Sequence, residues 1–174
     1  HTIATQTDCE AYLSRLDAFA TVLDQEIEVA HHDMALGVVP PDFTLVTALD
    51  QMRQLRAPAP EQSSLTQSVG RRAREHKIAG DYVQLAAQRV RDKVYPALDR
   101  QINLLREMQK VATHDAGVWK LPKGAEYYAA SLVSWATTTR DPAQIHRQGL
   151  DLVREQAASL DALLRKQGMT QGTV

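Results

Sequence analysis

The spacing of the apolar residues constrains this chain more than any other feature. Leu13, Leu16, Ala20, Leu23, Ile27, Ala30 and Met34 recur every three or four positions. That period places them along one face of a single long α-helix. Val83, Ala87, Val90, Val94, Leu98, Ile102, Leu105, Met108 and Ala112 repeat the pattern. Ile145, Leu150, Val153, Ala157, Leu160, Leu163 and Leu164 do so again. No stretch alternates as a half-buried strand would, and nothing recurs at the fixed period of a repeat protein. A helix with one apolar stripe must bury it against another element. The fold class that follows is all-α, with about six helices, long antiparallel neighbours and short connections.

Capping and breaking residues divide the pattern. Thr7 or Asp8 can cap the first helix, with Glu10 adding negative charge near its start. Gly37 and Pro40-Pro41 stop it. Asp42 can cap a second helix with the stripe Leu45, Leu49, Met52 and Leu55. Ala57-Pro58-Ala59-Pro60 is a loop, and Ser63 or Ser64 starts a third helix ending near Ile78. Gly80 breaks that helix and Asp81 caps a fourth. Pro96 lies inside the fourth, removing one backbone donor and crowding the preceding turn, so a kink is expected near Asp92–Tyr95. Leu121-Pro122-Lys123-Gly124 is a loop before a fifth helix over about 125–136. Asp141-Pro142 opens the last, which runs to Gly168.

Composition narrows the class further. Hydrophobic residues make up 44% of the 174, but aromatics only 5%, so the core rests on Leu, Val and Ala. The chain reads as a single helical domain over 1–174, with an ordered core of about 8–167. Twenty Lys and Arg nearly cancel 21 Asp and Glu, leaving a net charge of −1. No overall field attracts nucleic acid, and no run is apolar enough for membrane insertion. Cys9, the single cysteine, excludes an internal disulfide and a cysteine-based zinc site. His1 takes the place of an initiator methionine, which reads as a fragment of a longer protein.

Residues with chemistry are few. Glu28, His31 and His32 share one helical turn, half of a two-metal helical site, but its other half is missing and solvated polar groups are the simpler account. His76, His114 and His146 are isolated. His114-Asp115 could orient an imidazole or simply cap a helix end. Arg71, Arg72, Arg74 and Lys77 form a basic cluster that reads as a solvated face, because Glu75 interrupts it and no aromatic interleaves. No catalytic motif and no metal-ligand set occurs. The unusual groups gather in the last third: Tyr127 and Tyr128, whose side chains diverge by about 100° on a helix, then Trp135, and three threonines at 137–139. Caps and a turn account for much of this stretch, although three threonines exceed what a cap needs.

At this stretch the chain resembles a known family. Leu121-Pro122, Gly124, Tyr127-Tyr128, Thr137-Thr138-Thr139, Pro142, Ile145-His146 and Gly149-Leu150 are similar to the bacterial family called domain of unknown function 885. Gly37-Val38-Val39-Pro40-Pro41 and Val94-Tyr95-Pro96-Ala97 fit the same pattern, over about residues 8–167. The resemblance implies a longer, largely helical, zinc metallopeptidase-like parent carrying an export or lipoprotein signal. The family's metal motif, of the His-Glu-x-x-Pro-Gly-His type, lies downstream of the matched region, so zinc ligands are carried onto no residue here. Members often have a His or Tyr before the threonine run, and Ser or Thr before the proline. Ala136 and Asp141 stand there in this chain.

The expectations are therefore these. The chain is a helical, non-catalytic portion of an exported, periplasmic or lipoprotein-type metallopeptidase-like protein. It holds no cofactor of its own, and zinc belongs to the parent. It helps form a substrate cleft, with Tyr127, Tyr128, Thr137, Thr138 and His146 on the cleft side. Its partners are the remainder of the parent chain and a peptide substrate. The alternative is a self-contained helical ligand-binding or sensor module.

Overall fold

A computed structural model of the chain describes residues 2–172. They contain helices and short helical turns, and no strand. Contacts divide the chain into two compact units, His1–Pro122 and Lys123–Val174.

In the first unit, α1 (Gln6–Ala35) begins two or three residues earlier than a Thr7 or Asp8 cap would place it. Thr5 is the cap. Its hydroxyl accepts from Asp8 N, and the Asp8 carboxylate accepts from Thr5 N and Ala4 N. This reciprocal box satisfies donors that a lone Thr7 would leave open, and it puts Asp8 in the first turn. Helix α2 (Asp42–Arg56) is capped by Pro41 and not by Asp42, which is its first helical residue. Helix α3 (Ser64–Glu75) starts under the Ser63 cap and stops at left-handed Lys77, short of Ile78. Asp81 caps α4 (Tyr82–Arg89) by accepting from Gln84 N, as expected.

No break separates α4 from α5 (Tyr95–Val111); a π turn, Val90–Val94, joins them into one rod. Pro96 explains it. The proline can give no hydrogen bond to the preceding turn, and its ring crowds the carbonyl there. The helix widens instead, and Tyr95 N donates to the Val90 carbonyl five residues back. The expected irregularity thus lies where the proline put it, in the form of a π turn.

Two apolar clusters fill this unit. Cys9, Leu13, Leu16, Ala20 and Leu23 of α1 pack with Val69 and Ala73 of α3 and with Ala86, Val90, Val94 and Leu98 of the rod. Farther along, Ile27, Ala30 and Met34 close over Leu45, Leu104 and Met108. Gly70 brings α3 close to α4, because a Cβ there would collide with Val83. The 57–63 loop is tied down by Tyr95 Oη donating to Pro58 O at 2.7 Å and Thr66 Oγ1 donating to Pro60 O at 2.7 Å.

Chain direction differs among the neighbours. Asp42 meets Thr113 and His114 while Arg56 meets Asp99, so α2 and α5 are antiparallel, as expected. Along α1, Asp17 meets Lys93, Asp24 meets Arg100, and the Leu23 carbonyl accepts from buried Gln101. Those numbers rise together. Helix α1 and the rod therefore run parallel, with α2 and α3 making the return between them.

These links make the unit acid-sensitive. The Lys93 ammonium, 2.8 Å away, holds Asp17 below the usual carboxylate range. The Arg100 guanidinium, with both contacts at 2.7 Å, does the same to Asp24. The amides of Ala4 and Thr5 and the Thr5 hydroxyl lower Asp8. A carboxyl depressed by folding stabilises the native state above its unfolded pKa, and that contribution is lost as pH falls through the folded value. The denaturant midpoint should hold steady from pH 7 to 5 and fall below about pH 4. Asp17→Asn with Asp24→Asn should lower the midpoint at pH 7 and flatten the acid limb; an unchanged limb would show that other carboxyls govern it.

The second unit contains α6 (Gly124–Ala136) and α7 (Pro142–Lys166). Its helix bounds agree with the punctuation in the sequence: Asp141 accepts from Ala143 N and Pro142 is the first helical residue. Its packing is unlike that of the first unit. Gly124 is the one buried residue of α6, and α7 has none.

Candidate functional site

The five cleft candidates all fall in the second unit, but they do not form one cluster. Tyr127 and Tyr128 sit in the first turn and a half of α6, 63% and 47% exposed. Thr137 caps the other end, nine residues beyond Tyr128, or about 13 Å along the axis at the helical rise. The corner proper holds Thr137, Thr138 and, one turn into α7, His146. Thr137 adopts the left-handed conformation at φ 50°, unusual for a residue with a branched Cβ. Thr138 Oγ1 accepts from Arg140 N at 3.2 Å, and Arg140 Nη1 donates to Gln148 Oε1 at 3.0 Å, which fastens the corner to α7. None of the five candidates hydrogen-bonds to another.

A sixth residue belongs with them. Trp135 is 89% exposed. It lies two turns from Tyr128 with Leu132 between, so Tyr128, Leu132 and Trp135 make one stripe along α6. The i, i+4, i+7 spacing was visible in the sequence. On α7, His146 stands in line with Leu150, Val153 and Ala157 at the same spacing, inside the apolar face and away from the charged one.

The first unit offers other groups. His114 Nδ1 lies 2.9 Å from Asp42 Oδ1, and its ring meets Phe43 edge-on at 5.4 Å. Its partner is therefore the start of α2, 72 residues distant, and not the adjacent Asp115. Beside that junction is an open cleft of about 450 Å³, lined by Met34, Val39, Val111 and Leu121 with Thr113 and Lys120 at its polar edge. Arg71, on the basic face of α3, pairs loosely with Glu75 at 3.8 Å. Burial pushes the Cys9 thiol up, which leaves it a packing residue and not a nucleophile. The depressed carboxyls of this unit are likewise accounted for by helix pairing and capping.

A zinc ion finds no seat among the described residues. Glu28, His31 and His32 are all exposed on one turn of α1, and no group of three His, Cys, Asp or Glu converges to hold a metal. These residues do not fit the metal that the resemblance implies for the longer protein. No helix among the described residues is long and apolar enough to cross a membrane.

An all-α chain with one well-buried bundle and one uncovered helix pair is the class these features define. The chain belongs to the family described as bacterial protein of unknown function (DUF885), whose model matches residues 1–174. Its fold is similar to the crystal structure described as that of "the putative lipoprotein from Colwellia psychrerythraea", with a TM-score of 0.92 at 24% sequence identity. That similarity covers 99% of this chain and 30% of the other, so the chain spans under a third of that protein's length. No curated protein matches the chain.

Proposed function

We propose that this chain is the helical, non-catalytic portion of an exported zinc metallopeptidase-like protein, and that α6 and α7 form part of one wall of its substrate cleft. The observation that carries this reading is the uncovered second unit. It leaves the Tyr127 and Tyr128 rings, Thr137 and His146 exposed, with Thr138 half-buried at the corner and the tyrosine hydroxyls unengaged. Aromatic faces and unspent hydroxyls suit an extended peptide, whose backbone needs hydrogen-bond partners and whose side chains need apolar contact. The lipoprotein description of the Colwellia protein supports export, and its greater length supports placing zinc and the general base in residues beyond these.

The test is to measure zinc content and peptide hydrolysis for the 174-residue chain and for the full-length polypeptide. Zinc and activity are expected with the full-length protein alone. Stoichiometric zinc or hydrolysis by the 174-residue chain would overturn the assignment. A full-length protein free of both would leave the self-contained helical binding module as the reading.

A further inference from the structure

The apolar residues of the second unit face water. On α7, Val153, Leu160 and Leu163 are 66%, 46% and 59% exposed. At 100° per residue they share one broad face with Ile145, Leu152, Ala157 and Leu164. The opposite face carries its own charge balance, since Arg154 pairs with Asp151 at 3.2 Å and Arg165 with Asp161 at 2.6 Å. Helix α6 goes further. Its thirteen residues include one charged side chain, Glu126. Val133 and Trp135 point to nearly opposite sides of it, and both are at least half exposed. A helix with one charge and apolar residues on opposite sides calls for burial on both.

We propose that further helices of the same polypeptide pack over the apolar face of α7 and around α6, so that this pair lies inside the full-length protein. The inference rests on the reading of the chain as a portion of a longer protein. Two observations favour this occupant over a second copy. A two-fold interface buries one patch per subunit. It could take the face of α7, but it would leave one side of α6 wet. In addition, the Colwellia chain carries the same fold within 30% of its length, which leaves ample polypeptide to supply the cover. Because the charged residues of α7 lie away from its apolar face, the cover needs an apolar surface and no counter-charge. The cleft candidates then lie at the margins of the covered area, the tyrosines at the start of α6 and Thr137, Thr138 and His146 at the corner.

Thiol labelling under native conditions tests this. Val153→Cys, Leu160→Cys and Val133→Cys report on the two helices, and Ala158→Cys, on the charged side of α7, is the control. Cys9 is buried and adds little background. In the full-length polypeptide the three reporters should label at least 100-fold more slowly than the control. In the 174-residue chain all four should label at similar rates. Equal rates in the full-length protein would overturn the proposal. Protection in the 174-residue chain that grows with concentration would assign the face to a second copy and overturn it too. Protection in a full-length protein that lacks peptidase activity would sustain this inference while sinking the proposed function.

Discussion

Leu98→Ala should destabilise the 174-residue chain by about 3 kcal/mol, within the 2–5 found for leucine truncation in packed cores. Leu98 is fully buried on α5, where that helix packs against α1 and α2. Truncation removes apolar contacts from all three at once, and the stiff rod beside the π turn has little freedom to collapse into the gap. Leu163→Ala removes the same atoms from α7, where Leu163 is 59% exposed. Its cost should stay within about 0.5 kcal/mol. Urea denaturation followed by circular dichroism measures both. Equal losses would mean that α7 is covered in solution, and the division into a buried bundle and a bare helix pair would fall.

These two leucines also mark the limit of what the sequence makes legible. Both occupy stripe positions three or four residues from their apolar neighbours, and both predict a helix correctly. Periodicity reports which face wants burial. It does not report whether anything in the same chain buries it. Helix existence, the Asp81 and Asp141 caps and the position of the proline irregularity followed from local chemistry, because each depends on residues within a turn or two. The parallel run of α1 beside the rod did not, since it depends on where two intervening helices turn. The π turn is a choice among ways of accommodating Pro96 that the proline alone does not decide. At the first cap the signal was present: Thr5 and Asp8 stand at the spacing of a reciprocal box.

The candidate site was legible to a similar depth. Its residues fall in one unit, as their proximity in sequence implied, yet the helical rise sets the tyrosines and the threonine corner at opposite ends of α6. His114 shows the opposite failing. Its sequence neighbour Asp115 suggested a local pair, and the geometry supplied Asp42 from another helix. Left-handed Thr137 has no sequence signal, because a branched residue is a poor choice for that conformation. Strain of this kind is commonly held in place by surrounding structure. Beside Thr137, Arg140 N donates to Thr138 Oγ1 and Arg140 Nη1 donates to Gln148 Oε1, which ties the corner to the start of α7.

A pair of charges on the bare face tests the proposed cover most sharply. Val153→Asp with Leu160→Asp should change the melting temperature of the 174-residue chain little. Each site is open to water, so each carboxylate stays hydrated, and the cost is a helix-propensity loss of about 0.5 kcal/mol at Leu160 and close to none at Val153. In the full-length polypeptide the same carboxylates would be forced under apolar helices with no counter-charge, and burying an unpaired charge costs several kcal/mol. The pair should therefore abolish cooperative melting of the full-length polypeptide or lower its midpoint by several degrees, while the 174-residue chain shifts little. Asp161→Ala, on the charged side of α7, controls for loss of a surface pair and should be nearly neutral in both. A parent that tolerates the double substitution as readily as the 174-residue chain does would show that nothing packs on α7.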